Sequence, residues 1–218
     1  MKIKGVVLDM DGLMFDTENL TYKLQHEIFE KNFGINYTLD QYKMTIGKRT
    51  EDLLSFFTSL CGEDFDYEAF RIMCRKAYTD YTDKYGVPIK DGLFELLDYL
   101  KEHKIKTALS TSTTKKSAER TLRISGALHY FDALICAEDV EHGKPHPEPF
   151  EKAAKALSLK PSECVALEDS LNGIKSAYAA GLIPIMVPDL IEPTEEIRPM
   201  CRFILTDLAQ VINIFDKI

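Results

Sequence analysis

The chain of 218 residues is predicted to be an α/β protein, in which a doubly wound, mostly parallel sheet core carries an inserted all-helical domain. The aliphatic run at 5–8 is uninterrupted, which is typical of a strand covered on both faces of a sheet. Residues 16–85 show helical patterns and no convincing strand. From Gly86 onward, short apolar strands alternate with amphipathic helices, which is the pattern of right-handed βαβ units.

Residues 16–85, called here the helical insert, divide into four helices at recognisable start and stop signals. The starts are predicted at Asp16 or Thr17, at Thr38 with the capping-box partner Gln41, at Thr50 and at Asp66. The stops are predicted near Gly34, Gly47, Gly62 and Gly86. The aromatic stripe of Tyr78, Tyr81 and Tyr85 is expected to belong to the core of the insert rather than to a stacking surface.

The alternating part of the chain is expected to complete a Rossmann-like sheet. Strands are predicted at 105–109, 133–136, 164–167 and 183–187, with an edge strand at 203–205. Helices are predicted at 92–103, 115–124, 147–157, 170–180 and 209–215. The predicted core domain is therefore 1–15 with 86–218. Because both connections to the insert lie side by side, a hinge is expected, with the insert acting as a lid over the first strand's end.

Composition excludes several classes of partner. The net charge of −8 argues against nucleic acid and against an anionic membrane surface, and no apolar run is long enough to span a bilayer. The apolar stretch at the N-terminus is too short for a signal peptide. Five scattered cysteines predict reduced thiols in a cytoplasmic protein, with Cys136 and Cys164 in the core. A monomer is expected.

Polar residues follow the predicted strands at the points where those strands end. They are Asp9 and Asp11 after the first strand, Ser110 after the second, Lys144 in the loop after the third, and Glu168 with Asp169 after the fourth. In open α/β sheets, this edge is where ligands bind. Clustered carboxylates are the expected ligands of Mg²⁺. A lysine and a hydroxyl nearby suit the oxygens of a phosphoryl group.

These residues form a set of motifs, in the order DxDG, a Ser after the second strand, a lone Lys before a Pro, and LEDS. In this order they resemble the four motifs of the haloacid dehalogenase superfamily, over essentially the whole chain. The helical insert resembles the cap of the subgroup that contains β-phosphoglucomutase and many small sugar phosphatases.

The resemblance implies a role for each acidic residue. Asp9 would be the nucleophile that forms an aspartyl-phosphate, and Asp11 would be the general acid and base. Mg²⁺ would be held by Asp9, Asp169 and the backbone carbonyl of Asp11, with Glu168 supporting directly or through water. Lys144 would pair with Asp9.

The resemblance also implies how phosphate is bound. Ser110 and Lys144 would grip the phosphoryl oxygens, and backbone amides near Met10, Asp11 and Thr111 would complete the cradle.

Substrate selection is left to the helical insert. The basic turn with Lys48 and Arg49 lies where the subgroup presents specificity residues, although a solvated surface turn is the alternative. Asp16 and Thr17 either face the substrate or serve as hinge and helix cap.

The favoured interpretation is a phosphatase of a small phosphorylated metabolite, with a sugar phosphate expected. β-Phosphoglucomutases carry a His where this chain has Thr21, and their loop arginine is shifted by one position here, to Arg49. Both departures weigh against the alternative, a mutase. A non-enzymatic phospho-aspartate switch is a remote alternative, because receiver modules lack a large insert after the first strand.

Overall fold

A computed structural model describes residues 3–215 and contains a sheet of six parallel strands. The strands are β1 (Gly5–Leu8), β2 (Lys106–Ser110), β3 (Ala133–Ile135), β4 (Cys164–Glu168), β5 (Ile183–Met186) and β6 (Phe203–Ile204). Their order in the sheet is β3-β2-β1-β4-β5-β6. The predicted fold class is confirmed, because β1 lies at the centre and the chain winds outward from it in both directions.

Nine α-helices accompany the strands in the described part of the chain. Those of the helical insert are α1 (Thr17–Phe33), α2 (Leu39–Lys43), α3 (Thr50–Cys61) and α4 (Tyr67–Tyr85). The remaining helices are α5 (Leu93–Glu102), α6 (Lys115–Ser125), α7 (Glu148–Ala156), α8 (Leu171–Ala179) and α9 (Ala209–Ile214). Two compact units result: one runs to Asp16 and resumes at Val87, and the other covers residues 17–86.

The central strand is buried on both faces, as its aliphatic sequence predicts. Val6 and Leu8 belong to one apolar cluster and are fully buried. Val7 points to the opposite face and belongs to a second cluster, which includes Phe150 from α7. Because successive side chains of a strand alternate between faces, three aliphatic residues anchor both halves of the core domain. This rigid strand ends at Asp9.

Local capping signals locate several helices correctly. Thr38 and Gln41 form the predicted capping box at α2. The side chain of Asp66 accepts from the amide of Ala69 at 2.9 Å and caps α4. Ser170 caps α8 in the same way, by accepting from the amide of Gly173 at 3.0 Å. These side chains satisfy amides that the first helical turn leaves without partners, which is why the signal can be read from sequence.

An aromatic cluster forms the core of the helical insert. Phe29 is fully buried, and its ring lies 4.7 Å from Tyr37, 4.7 Å from Phe70 and 5.7 Å from Phe57. The expectation that the tyrosine stripe of α4 belongs to this core is wrong at Tyr85, which is 64% exposed. The ring of Tyr85 contacts its neighbour on the same helix, 5.0 Å from the ring of Tyr81, and does not enter the buried cluster.

Two predictions from composition also have structural counterparts. Among residues 3–215, no helix combines the length and the apolar character that a membrane crossing needs. Cys136 and Cys164 are both fully buried free thiols, as expected of core residues.

Replacing Phe29 by Ala should destabilise the helical insert strongly. The change removes a fully buried ring from the aromatic cluster, so we expect a loss of about 3–5 kcal/mol in the free energy of unfolding. Denaturant unfolding followed by tyrosine fluorescence measures this. Phe33→Ala is the matched control, since Phe33 lies on the same helix and is 38% exposed. It should cost about 1 kcal/mol, and equal losses would contradict the assignment of Phe29 as the centre of the cluster.

Candidate active site

Three adjacent strands bring polar side chains to one edge of the sheet. β1 lies between β2 and β4, with Leu8 in register with Leu109 and Leu167. The next residues along these strands are therefore level with one another, and they are Asp9, Ser110 and Glu168. All three are buried. The parallel pairing thus assembles two acids and a hydroxyl at the carboxyl edge.

Lys144 reaches this edge from the loop before α7, and its side chain is only 7% exposed. Its Nζ donates to Oδ1 of Asp9, to Oε1 of Glu168 at 2.6 Å and to the carbonyl of Ser110 at 2.9 Å. The predicted ion pair between Lys144 and Asp9 is confirmed. Because the three acceptors match the three N–H donors of an ammonium, the side chain is fixed in one orientation.

Burial and neighbouring charges control the protonation of this edge. Removal from water raises the pKa of Asp9 from 3.8 to about 7; the ammonium of Lys144 opposes the rise, and Glu168 and Asp11 add to it. Burial, followed by the charges of Glu168 and Asp9, also raises the pKa of Asp169 well above its usual value. Burial disfavours the charged form of Lys144, but attraction to Asp9 and Glu168 outweighs it and raises its pKa.

Glu168 is engaged through both of its carboxylate oxygens. Oε1 accepts from Lys144, while Oε2 accepts from the amide of Ser170 at 2.8 Å and from its hydroxyl at 2.9 Å. Helix α8 approaches so closely that a Cβ on Gly173 would lie 1.7 Å from Oε1. In this arrangement Glu168 orients Lys144. A direct or water-mediated contact from Glu168 to a metal stays a prediction.

The loop after β2 differs in part from what the sequence suggests. The Oγ of Ser110 is buried and has no hydrogen-bond partner among residues 3–215, so a phosphoryl oxygen would satisfy an otherwise costly hydroxyl. The amide of Thr111 donates to the carbonyl of Ile135 at 2.9 Å, in continuation of the sheet. Contrary to expectation, that amide is not available to a phosphate. The hydroxyl of Thr111 instead accepts from the amide of Thr113 at 3.1 Å.

Thr113 is a site residue that the sequence does not single out. Its hydroxyl donates to Oδ2 of Asp11 at 2.8 Å. It stands in an unbroken run of hydroxyl residues, 110–114. Each of these residues has similar chemistry, so the pattern carries no signal about which one reaches Asp11.

A tight turn follows Asp9, carries Asp11 and lies against Asp169. The carbonyl of Met10 accepts from the amide of Phe15, and the amide of Gly12 donates to the carbonyl of Phe15 at 2.9 Å. Gly12 has a φ of 84°, and a Cβ there would lie 2.3 Å from Oδ2 of Asp169. Only glycine fits both the conformation and the space. The carboxylate of Asp169 therefore lies directly against the turn that carries Asp11.

A second lysine, Lys90, lies close to this edge, and the sequence does not single it out either. The Nζ of Lys90 is 2.5 Å from Oδ1 of Asp189 and 3.6 Å from Oδ1 of Asp16. The side chain of Asp189 is only 5% exposed, and its charge adds to the effects of burial and of nearer carboxylates on the pKa of Asp169. Asp189 follows β5, so the strand-end rule, applied to that strand as well, would have found it.

The remaining predicted residues belong to the helical insert. Thr17 is the first residue of α1 and is buried. Lys48 and Arg49 are exposed and lie between α2 and α3, as predicted. The Nε of Arg49 is 3.3 Å from Oδ2 of Asp52, an exposed pair that contributes little to stability. Roles of Thr17, Lys48 and Arg49 in substrate binding stay predictions.

The carboxylates at the sheet edge suit a hard cation that prefers oxygen ligands. Within residues 3–215, no group of three or more His, Cys, Asp or Glu side chains is arranged to hold a metal by itself. Mg²⁺ does not need such a group, because it keeps several waters and takes one or two protein carboxylates. Asp9 and Asp169 are both removed from water, and neighbouring carboxylates repel their negative charges. A divalent cation bound by these two residues would offset the cost of burial and the repulsion.

Several known proteins are similar to this chain in sequence or in fold. A family model described as haloacid dehalogenase-like hydrolase matches residues 6–187. A Caldanaerobacter subterraneus subsp. tengcongensis protein, provisionally named as the pyrophosphatase PpaX, is 33% identical over 98% of this chain and 95% of its own. The phosphorylated carbohydrates phosphatase of Thermotoga maritima is 29% identical, covering 83% and 82%. A crystal structure provisionally assigned as a Thermotoga maritima β-phosphoglucomutase shares the fold, with a TM-score of 0.83, 24% identity and full coverage of both chains.

Replacing Gly173 by Ala should disturb the site from outside it. Alanine favours a helix more than glycine does, yet here its Cβ would collide with the Glu168 carboxylate that orients Lys144. We expect a loss of about 1–3 kcal/mol in the free energy of unfolding. Gly143→Ala is the matched control, because it adjoins Lys144 but its Cβ would meet nothing within 4 Å. Denaturant unfolding of both variants tests this, and a stable Gly173→Ala variant would show that Glu168 is free to move.

Proposed function

The chain belongs to the haloacid dehalogenase-like hydrolases, and we propose that it is a Mg²⁺-dependent phosphatase of a small phosphorylated metabolite. A sugar phosphate is the proposed substrate class, in keeping with the carbohydrate phosphatase among its relatives. The observation that carries the proposal is the buried Asp9 carboxylate, held by Lys144 beside an unpartnered Ser110 hydroxyl. A nucleophile, a fixed cation and a hydrogen-bond donor are the parts that phosphoryl transfer requires.

In the first half-reaction, Asp9 attacks phosphorus. A bond forms between a carboxylate oxygen of Asp9 and the phosphorus atom, while the bond from phosphorus to the leaving oxygen breaks. Asp11 gives its proton to that leaving oxygen. The ammonium of Lys144 opposes the effect of burial on Asp9, so it helps to keep the nucleophile ionised near neutral pH.

In the second half-reaction, water releases the phosphate. Asp11, now ionised, takes a proton from the water molecule while the water oxygen bonds to phosphorus. The acyl-phosphate bond breaks, and Asp9 leaves as a carboxylate. Both half-reactions use the same acid and base, which restores the starting protonation state after each turnover.

Two groups would hold the transferred phosphoryl oxygens. Lys144 offers a fixed positive charge, and the Oγ of Ser110 offers a donor that lies buried at the end of β2. The sheet positions Ser110, and contacts with Asp9 and Glu168 fix the ammonium of Lys144 before substrate arrives, so little reorganisation would accompany the reaction.

A divalent cation would be held by Asp9, Asp169 and the backbone carbonyl of Asp11, with Glu168 as the proposed supporting ligand. When bound, Mg²⁺ would offset the repulsion between an anionic carboxylate and an anionic phosphate.

Selection of the leaving group is assigned to the helical insert, through Thr17, Lys48 and Arg49. A basic, exposed turn suits a polar or anionic substrate in a protein whose net charge is −8. A cytoplasmic location is part of the proposal, supported by the free cysteines, of which Cys136 and Cys164 are buried. A monomeric state is proposed alongside it.

Asp9→Asn should abolish phosphatase turnover, because an amide cannot form the acyl-phosphate. We expect a fall in kcat of more than about 10³-fold. Release of inorganic phosphate from hexose phosphates, nucleotides, glycerol phosphates and pyrophosphate measures it. Asp64→Asn, at an exposed position, is the control. Isomerisation of β-glucose 1-phosphate without phosphate release would instead identify a mutase, and an active Asp9→Asn variant would refute the nucleophile.

Mg²⁺ should stabilise the protein more at pH 8 than at pH 5.5. The folded state holds the Asp9 proton more tightly than the unfolded state, so the metal-free protein should lose stability as pH rises from about 4 to about 7. Above that range the ionised carboxylates bind the cation without releasing protons. At about 100 times its Kd, Mg²⁺ should add about 2.7 kcal/mol.

Thermal unfolding with EDTA or with Mg²⁺ at the two pH values measures this effect. In Asp169→Asn the Mg²⁺-dependent shift should disappear. A shift of equal size at both pH values would show that the cation binds elsewhere. Phosphatase activity that persists in EDTA would argue against a requirement for Mg²⁺.

A further inference from the structure

Thr113 contacts the acid and base of the proposed reaction directly. Its Oγ1 donates a hydrogen bond of 2.8 Å to Oδ2 of Asp11. The two residues come from different loops, one after β1 and the other after β2. The contact therefore depends on the tertiary fold and not on local sequence.

The backbone of Thr113 is held on both sides. Its amide donates to Oγ1 of Thr111 at 3.1 Å, and its carbonyl accepts from the amide of Ala137 at 3.1 Å. Thr111 is in turn fixed to the sheet through its amide bond to Ile135. A donor on so constrained a loop has a defined position, which is the requirement for orienting a catalytic side chain.

We propose that Thr113 is a positioning residue, which assigns the two oxygens of Asp11 to different tasks. Thr113 fixes Oδ2 as a hydrogen-bond acceptor, so Oδ1 is the oxygen that carries and transfers the proton. This inference rests on the proposed phosphatase function. It adds a residue that the four motifs do not include.

The proposed role follows from the geometry of a carboxyl group. A carboxylic acid carries its proton on one oxygen, and a neighbouring O–H donor bonds to the other. In the first half-reaction the proton leaves Oδ1 for the leaving oxygen as the phosphorus–oxygen bond breaks. In the second, Oδ1 takes a proton from the attacking water. Without Thr113, the carboxyl loses the hydrogen bond that holds Oδ2, so its proton is no longer directed to Oδ1 and transfer loses alignment.

The consequence depends on how much the leaving group needs a proton. An alkoxide is a poor leaving group and needs the acid, whereas p-nitrophenolate leaves without much assistance. The ratio kcat/KM reports steps up to the first irreversible one, so it isolates formation of the phospho-enzyme from its hydrolysis. Benzyl phosphate and p-nitrophenyl phosphate have similar size and shape. Comparing them separates proton donation from binding.

The experiment measures kcat/KM with Mg²⁺ for both compounds in the wild-type protein, Thr113→Val and Thr113→Ser. For Thr113→Val we expect a loss of about 10-fold or more on benzyl phosphate and less than about 3-fold on p-nitrophenyl phosphate. Thr113→Ser keeps the hydroxyl and should restore the wild-type ratio. Thr114→Val is the matched control, since Thr114 is exposed and its hydroxyl donates to Ser117 instead. Its ratio should not change.

The outcomes are distinct. Equal losses on both compounds in Thr113→Val, or no loss on either, would overturn the positioning role. Retained p-nitrophenyl phosphate activity shows that the variant is folded, and Thr113→Ala replaces Thr113→Val if that activity is absent. The Asp9→Asn variant distinguishes a failure of the proposed phosphatase function from a failure of the role proposed for Thr113. If Asp9→Asn remains active, the proposed function fails; if it is inactive and Thr113→Val shows no selective loss, only the inference about Thr113 fails.

Discussion

The ammonium of Lys144 is the interaction on which the arrangement of the site depends. It is buried between Asp9 and Glu168 and forms an ion pair with each of them. Its positive charge therefore offsets the free-energy cost of removing these two carboxylates from water. An uncompensated charge at such a depth would cost several kcal/mol. Removing Lys144 would therefore take away the charge that opposes the effect of burial, and the pKa of Asp9 would rise further. In the proposed mechanism a protonated Asp9 could not attack phosphorus, so the same contact would support both folding and chemistry.

Lys144 is held in place by a chain of contacts that extends well beyond the reacting atoms. Glu168 orients the ammonium, Ser170 orients Glu168, and Gly173 allows α8 to approach the carboxylate. Ser170 also caps α8, so one hydroxyl stabilises a helix and aligns the site. The residues of the LEDS motif thus act together: an acid for the lysine, an acid beside the Gly12 turn and a serine that joins them to the scaffold.

The sequence predicts those parts whose signal is local or periodic. The strand at β1, the capping box at Thr38 and the strand-end acids are examples, because aliphatic runs, caps and strand ends each have a mechanism that operates over a few residues. The hydrogen bond between Thr113 and Asp11 has no such local signal. Thr113 is one of several adjacent hydroxyl residues, and the pairing of Thr111 with β3 decides which of them faces inward. The ion pair of Lys90 with Asp189 joins residues 99 positions apart, which no local pattern reports.

The buried hydroxyl of Ser110 has a consequence for the regulation of turnover. In the proposed function, the unpartnered hydroxyl of Ser110 and the ammonium that donates to the Ser110 carbonyl would bind any tetrahedral oxyanion, and they would not distinguish a phosphate ester from the inorganic phosphate that hydrolysis produces. The product should therefore compete with the substrate for the same donors. Flux through the enzyme would then fall as free phosphate accumulates in the surrounding solution, so the site would respond to the phosphate status of its compartment without a separate sensor.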